Sequence, residues 1–137
     1  MQKSYANDLS ELARLGADIE AFCQEHAIGF EDMNALQLCL DEAATNIISY
    51  AWPEKGGHAF EVSLVREGAQ VRATLRDDGV AFDPLSDAPP PDLDSGIDER
   101  EIGGLGIHFC RTLMQELSYR REDEKFNVFT MTRLLAQ

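Results

Sequence analysis

The residues best suited to chemistry are a carboxylate and a carboxamide one helical turn apart, Glu42 and Asn46. They belong to residues 36–51, where apolar side chains recur at steps of three and four and so predict a helix with one face toward a core. Glu42 and Asn46 fall on the flank of that face. A carboxylate there can act as a base, and a carboxamide oxygen can bind a hard cation such as Mg²⁺. The same pair also fits a solvated helix edge, so by itself it does not define a site.

Two further motifs have chemical potential. An Asp-x-Gly motif, Asp77 to Gly79, stands at the end of a predicted strand, and the glycine-rich run 103–106 opens directly into another apolar helix. Glycines at a helix start let exposed amides approach a phosphate, and the helix dipole favours negative charge there. Each motif is weak alone, because Asp-x-Gly occurs in many turns and a glycine-rich run can be a simple tight connection.

The elements that must position these residues follow from hydrophobic periodicity. The first helix is predicted to begin with a capping box at Asp8–Glu11, and residues 3–6 are too short to assign. Helices are predicted from 8 to about 26, from 36 to 51 and from 103 to 117, and strands at 59–66, 70–76, 118–121 and 126–132. This order predicts an α+β sandwich, with about three helices on one face of a largely antiparallel sheet.

The segment 84–102 is rich in Pro and Asp and contains little that could pack. A connection of this length inside a small domain is usually either disordered or functional. We predict a lid, because the segment ends at the glycine-rich helix start.

Composition narrows the class of protein. A length of 137 residues predicts a single domain, 1–137, and a net charge of −13 disfavours nucleic acid and anionic membranes as partners. No secretion signal or membrane span is evident, which favours a cytoplasmic protein. Three separated cysteines are expected to be buried rather than to form disulfides or a zinc site, and two aromatic residues are expected in the core: Cys23, Cys39, Cys110, Tyr50 and Trp52.

Taken in order, the three motifs resemble those of the GHKL ATPase superfamily, and most closely the anti-sigma factor serine kinases, which bind ATP and phosphorylate a partner protein. The resemblance extends from about Asp8 to Leu135. It implies a Bergerat-type fold, with helices over a mixed, mostly antiparallel sheet and with ATP and Mg²⁺ held between the helix layer and the loop.

The resemblance assigns roles to individual residues. Glu42 matches the catalytic glutamate that takes the proton from the attacking hydroxyl, and Asn46 matches the asparagine that coordinates Mg²⁺. Asp77 matches the aspartate that accepts a hydrogen bond from the adenine amino group, and Gly79 matches the glycine that lets the base lie close. Ala81 departs from the pattern, since many relatives have a second glycine there.

The glycine-rich run carries the phosphate-binding role. Gly104 and Gly106 match the glycines whose amides cradle phosphates, and Leu105 lies between them in the same segment. Ile102 stands where some of these kinases have an arginine, and Arg100 lies two residues earlier, so an arginine contact to phosphate is left open.

The implied function is Mg²⁺-dependent phosphorylation of a serine or threonine on an antagonist protein. The implied partners are a STAS-type anti-anti-sigma protein and a sigma factor or similar regulator, and a second copy of the chain is left open. Two alternatives remain: an ATP-loaded switch that sequesters its partner without catalysis, and a stand-alone GHKL ATPase.

Overall fold

A five-stranded antiparallel sheet with three helices packed on one face forms the fold. The computed structural model describes residues 1–54, 56–86 and 104–136. Its elements are β1 (Gln2–Ala6), α1 (Glu11–Glu25), α2 (Phe30–Tyr50), β2 (Ala59–Glu67), β3 (Gln70–Asp77), α3 (Gly104–Leu113), β4 (Glu116–Glu122) and β5 (Phe126–Leu134). The α+β sandwich predicted from the sequence is confirmed.

The strand order β1-β2-β3-β5-β4 brings the ends of β3 and β5 together. All four strand pairings are antiparallel, whereas the resemblance implied a mixed sheet. The chain leaves β3, reaches the far edge through α3 and β4, and returns as β5 between β4 and β3. Asp77, the last residue of β3, is therefore paired with Asn127 at the start of β5.

The two-residue period of the central strands explains why Asp77 faces the helices. Val71, Ala73 and Leu75 on β3 are almost completely buried, and Asp77 continues the same inward series. On β5 the inward series is Asn127, Phe129 and Met131. Strands β3 and β5 thus each carry one polar side chain, Asp77 and Asn127, at the same end of an otherwise apolar inward face.

Two boundaries of the helices differ from the sequence predictions. The capping box is wrong: α1 begins at Glu11 with Ser10 as N-cap, and Asp8 Oδ1 instead accepts a hydrogen bond from the Ser10 amide at 2.9 Å. Helix α2 begins at Phe30 rather than near Leu36, because a first turn that carries the acidic residues Glu31 and Asp32 precedes the regular apolar series.

Three other assignments also change. Leu117, predicted in the third helix, lies in β4, and Phe109 is 54% exposed rather than in the core. Residues 2–6, left unassigned, form the edge strand β1, which pairs with β2. A five-residue strand carries too little periodicity to be recognised without its neighbour.

The core lies between the helices and the inward face of the sheet, and all three cysteines are buried and free, as predicted. None of the helices in the described part of the chain is long and apolar enough to cross a membrane.

Candidate functional site

A pocket opens between the C-terminal half of α2 and the adjoining ends of β3 and β5. Its walls come from five parts of the chain, and its lining is mostly apolar. The lining residues are Ala43, Asn46, Ile47, Ala51, Asp77, Phe82, Pro84, Tyr119, Asn127 and Phe129. Two residues predicted for the site, Asn46 and Asp77, therefore meet in one pocket although they lie on different elements.

Asn46 is buried with unused hydrogen-bonding capacity. Its side chain is 2% exposed, and within the described residues neither amide atom has a hydrogen-bond partner. A buried polar group left without a partner costs about 1–3 kcal/mol, so such groups are rare in native proteins. A ligand in the pocket would provide the missing partners.

Asp77 is a buried acceptor held in a fixed orientation. Its Oδ1 accepts hydrogen bonds from the Gly79 amide and from Asn127 Nδ2, both at 2.9 Å. Burial raises the pKa of Asp77, while these two hydrogen bonds and the charge of Arg121 oppose that rise. A carboxylate kept in this way at the wall of an apolar pocket can accept a hydrogen bond from a ligand N–H.

Gly79 is explained by packing within the protein itself. A Cβ at this position would lie 2.3 Å from the Ala51 carbonyl oxygen, and the next amide, that of Val80, donates to the same oxygen at 2.7 Å. The segment after β3 therefore lies directly against the C-terminal end of α2. The resemblance explains this glycine by the approach of a base, whereas the atoms that a side chain would meet belong to Ala51.

Asn127 is the residue that the sequence analysis missed. Its side chain is 5% exposed and takes part in five hydrogen bonds. Oδ1 accepts from Tyr119 Oη, Arg121 Nη1 and the Phe82 amide, and Nδ2 donates to Asp77 Oδ1 and the Val80 carbonyl. The available signal was a polar residue at the inward position of an apolar strand.

Glu42 lies one turn from Asn46 on α2 and is half-buried. It is not among the residues that line the pocket. Its charge helps to raise the pKa of the Cys110 thiol, an effect due first to the hydrogen bond with Cys39 and then to burial. Glu42 is therefore close to α3, which packs against α2.

The glycine-rich motif stands where a helix N-terminus was predicted. Gly104 is the first residue of α3, and Leu105 and Gly106 follow in its first turn. Most of the predicted lid, 87–102, lies outside the described residues, as do Arg100 and Ile102.

Two aromatic residues predicted for the core have different surroundings. Trp52 is 8% exposed, and its indole N–H donates to Asp78 at 3.2 Å. Tyr50 is half-buried and stacks on Phe82, with ring centroids 5.3 Å apart, and thereby supports a wall of the pocket.

The sequence and the fold together define the family of the chain. The sequence matches the histidine kinase-like ATPase domain over residues 5–133. A structure of the RsbU and RsbW domains of Rv1364c from Mycobacterium tuberculosis superimposes with a TM-score of 0.63, at 15% identity, over 100% of this chain and 33% of that one. The chain therefore belongs to the histidine kinase-like ATPase family.

Two relatives place it more closely. The serine/threonine-protein kinase BtrW of Bordetella bronchiseptica is 36% identical over 97 residues, covering 71% of this chain and 67% of that protein. The serine-protein kinase RsbW of Bacillus cereus is 26% identical over 97 residues, covering 69% of this chain and 60% of that protein. The resemblance to protein serine/threonine kinases is thus confirmed, and the chain spans about two thirds or less of the length of these relatives.

Proposed function

We propose that this chain binds ATP with Mg²⁺ in the pocket between α2 and the β3 and β5 ends, and transfers the γ-phosphate to a serine or threonine of an antagonist protein. The observation that carries the proposal is the pairing, in one pocket, of a buried carboxylate with a buried carboxamide that has no hydrogen-bond partner among the residues the structure describes. Membership of an ATPase family whose named relatives are protein kinases supports it.

Asp77 is the proposed adenine-binding residue. Its carboxylate is an acceptor in a pocket with apolar walls, which suits a flat base carrying an exocyclic amine. Guanine has a carbonyl oxygen at the corresponding position and would set an acceptor against an acceptor. Gly79 keeps the segment that bears this carboxylate against α2.

Asn46 is the proposed protein ligand of Mg²⁺. Its amide oxygen, which accepts no hydrogen bond from the described part of the chain, suits a hard cation. The described residues contain no group of three or more His, Cys, Asp or Glu side chains placed for a metal, so in this proposal the other Mg²⁺ ligands are phosphate oxygens and water. Bound Mg²⁺ would neutralise part of the triphosphate charge.

Glu42 is the proposed general base, which would orient and deprotonate the attacking hydroxyl. It lies on the same rigid helix as Asn46, so the two side chains keep a constant separation along α2. Gly104, Leu105 and Gly106 would present backbone amides to the phosphates, because the first turn of a helix has free N–H groups.

The proposed unit is one ATPase domain, 1–137, with a lid at 84–102 that excludes water during transfer. The proposed partners are a STAS-type anti-anti-sigma protein, as substrate, and a sigma factor or similar regulator, in the cytoplasm. A net charge of −13 favours partners with basic docking surfaces.

The test uses γ-³²P-labelled ATP, Mg²⁺ and purified STAS-type proteins from the organism that makes this chain. We expect label on a serine or threonine of one of them, and loss of the label with Glu42→Gln while ATP binding remains. Tight ATP binding without labelled protein would favour the sequestering switch. Rapid phosphate release without any protein substrate would favour the stand-alone ATPase.

A further inference from the structure

The hydrogen bonds around Asn127 are saturated within the protein. An amide side chain offers two N–H donors and one oxygen with two lone pairs, and here both donors and the oxygen are occupied. Asn127 therefore has no capacity left for a ligand, although it lines the pocket. Asn127 can therefore affect the hydrogen bonds of a ligand only through the residues that it binds itself.

The same network fixes which way the amide points. The Arg121 guanidinium and the Phe82 amide can only donate, and both lie on the same side of Asn127 as the Tyr119 hydroxyl, so the Asn127 oxygen must face them. Its nitrogen then faces Asp77 Oδ1 and the Val80 carbonyl, which are both acceptors. The reversed amide would set donors against donors and acceptors against acceptors.

Arg121 extends this arrangement to the segment after β3. Its Nη1 also donates to the Gly79 carbonyl at 3.0 Å, and its Nη2 donates to the Glu124 carbonyl at 3.2 Å in the β4–β5 turn. The β4–β5 hairpin thus holds both the carboxylate of Asp77 and the backbone two residues later. We call Asn127, Tyr119 and Arg121 the Asn127 clamp.

We propose that the Asn127 clamp is a specificity-determining device, which holds Asp77 with one carboxylate oxygen engaged and the other directed to the base amine. This inference rests on the proposed function, because it assigns the adenine preference to residues that act on Asp77 rather than through a hydrogen bond of their own to the nucleotide. Asn127 is a positioning residue, and its N–H is the group through which it acts.

Several charged and titratable groups surround Asp77. Asp78 lies on the same segment, and the charge of Arg121 acts on Asp77 from β4. The Tyr119 hydroxyl, also on β4, donates to Asn127, which in turn donates to Asp77. Helix α2 contributes Ala43, Asn46, Ile47 and Ala51 to the pocket wall, none of which titrates. The Asn127 amide is therefore the neutral group whose replacement by an acid should affect the ionisation of Asp77 most directly.

The variant Asn127→Asp keeps the shape of the side chain but replaces the donor that faces Asp77 by an acidic oxygen. Two carboxyl groups at hydrogen-bond distance share a proton, and ionisation of the pair shifts to higher pH. We expect ATP affinity at pH 7 to fall about tenfold to a hundredfold, the range for losing one hydrogen bond to a charged group, and GTP affinity to change little.

The experiment is calorimetric titration with ATP and with GTP, each with Mg²⁺, from acid to slightly alkaline pH. The ATP-to-GTP affinity ratio cancels the titration of the triphosphate, which both nucleotides share. In the wild type the ratio should fall only in acid, and in Asn127→Asp that fall should move up by about one pH unit or more. A loss of packing alone would weaken the binding of both nucleotides and leave the pH dependence of the affinity ratio unchanged.

Two further variants keep the result decisive. Asn34→Asp makes the same change of charge at an exposed position on α2 and should behave as the wild type. Tyr119→Phe retains the ring but removes the donor to Asn127 Oδ1, and should lower the ratio in the same direction by a smaller factor. Suppose that the wild type prefers ATP and that both clamp variants keep the wild-type ATP-to-GTP affinity ratio and its pH profile. The proposed role of the clamp is then wrong, and the proposed function stands. If the wild type shows no preference for ATP, the adenine assignment fails and the clamp fails with it.

Discussion

The variant Asn46→Leu separates the function of Asn46 from its contribution to the fold. The wild-type side chain is 2% exposed, and neither amide atom has a hydrogen-bond partner among the residues described. Replacing such a group by an apolar side chain of similar branching removes a penalty of about 1–3 kcal/mol. We therefore expect the nucleotide-free variant to be at least as stable as the wild type. If half of that penalty, about 0.5–1.5 kcal/mol, is recovered, the melting temperature rises by about 2–5 °C for a domain of this size.

The same change should abolish the effect of Mg²⁺ on nucleotide binding. A ligand at a hundred times its Kd stabilises a protein by about 2.7 kcal/mol, so the wild type should show a clear further rise with ATP and MgCl₂ that EDTA reverses. Asn46→Leu should lose the EDTA-sensitive part of that rise. Differential scanning fluorimetry with and without ATP, MgCl₂ and EDTA measures both effects in one plate.

The matched control is the same substitution at the other buried asparagine of the pocket. Asn127→Leu removes five hydrogen bonds and leaves the buried Asp77 carboxylate without one of its donors. We expect it to destabilise the free protein by about 3 kcal/mol or more. Equal destabilisation by the two leucine variants would refute the reasoning, because it would mean that the Asn46 amide is satisfied in the native protein. An EDTA-sensitive shift that survives in Asn46→Leu would remove Asn46 from the metal site.

Three further predictions follow from the local geometry. Gly79→Ala should lower the melting temperature even without nucleotide, since its Cβ would lie 2.3 Å from the Ala51 oxygen; an unchanged thermal melt would show that this contact relaxes freely. Asp77→Asn should reduce ATP affinity much more than GTP affinity in a fluorescence titration, and equal losses would count against the adenine assignment. The native thiols should react slowly with Ellman's reagent at pH 8, because Cys23 is buried and its pKa is raised to about 11, whereas in denaturant all three should react at once.

Asp77→Asn also has a pH dependence whose sign follows from burial. The pKa of Asp77 is raised in the folded protein, so between the unfolded and folded pKa values the native state binds more protons than the unfolded state. Ionised Asp77 therefore costs stability at neutral pH, and this cost disappears as the pH falls below the ordinary pKa of aspartate. The free Asp77→Asn protein should be more stable than the wild type at pH 7, and the difference should shrink in acid. Thermal melts of both proteins across this pH range measure it, and a difference that grows in acid would contradict the assigned direction.

Much of the fold was predictable because its signals are local. The alternation in β2 and β3, the apolar series of α2 and the glycine-rich start of α3 each predicted an element that the structure contains. The exceptions have physical reasons. The strand β1 is defined by its pairing with β2, and the end of α3 depends on where β4 leaves for the sheet edge. Pairing between distant segments leaves no periodic signal in either of them.

The candidate site was predictable only in part for the same reason. Asn46 and Asp77 stand in short motifs, so spacing and resemblance were enough to select them. Asn127 is 50 residues from Asp77 in sequence, and only the antiparallel register of β3 with β5 makes them partners. The reason for Gly79 was hidden too, since Ala51 approaches it through the tertiary structure.

The pocket divides its polar groups into satisfied and unsatisfied sets, and this division is an argument for binding rather than for a structural polar cluster. Asn127 and the backbone from Gly79 to Phe82 form a network in which the side-chain amide of Asn127 makes all its hydrogen bonds within the protein. Asn46, on the opposite wall, has no such contact within the described residues. A polar cluster that served only the fold would gain by pairing both asparagines, because each unpaired buried group costs stability. One wall of the pocket thus has its hydrogen bonds satisfied and is held rigid, and the wall that carries Asn46 offers groups that still need partners. This is the arrangement of a pre-organised ligand site, because the ligand can bind those groups without requiring the protein to move.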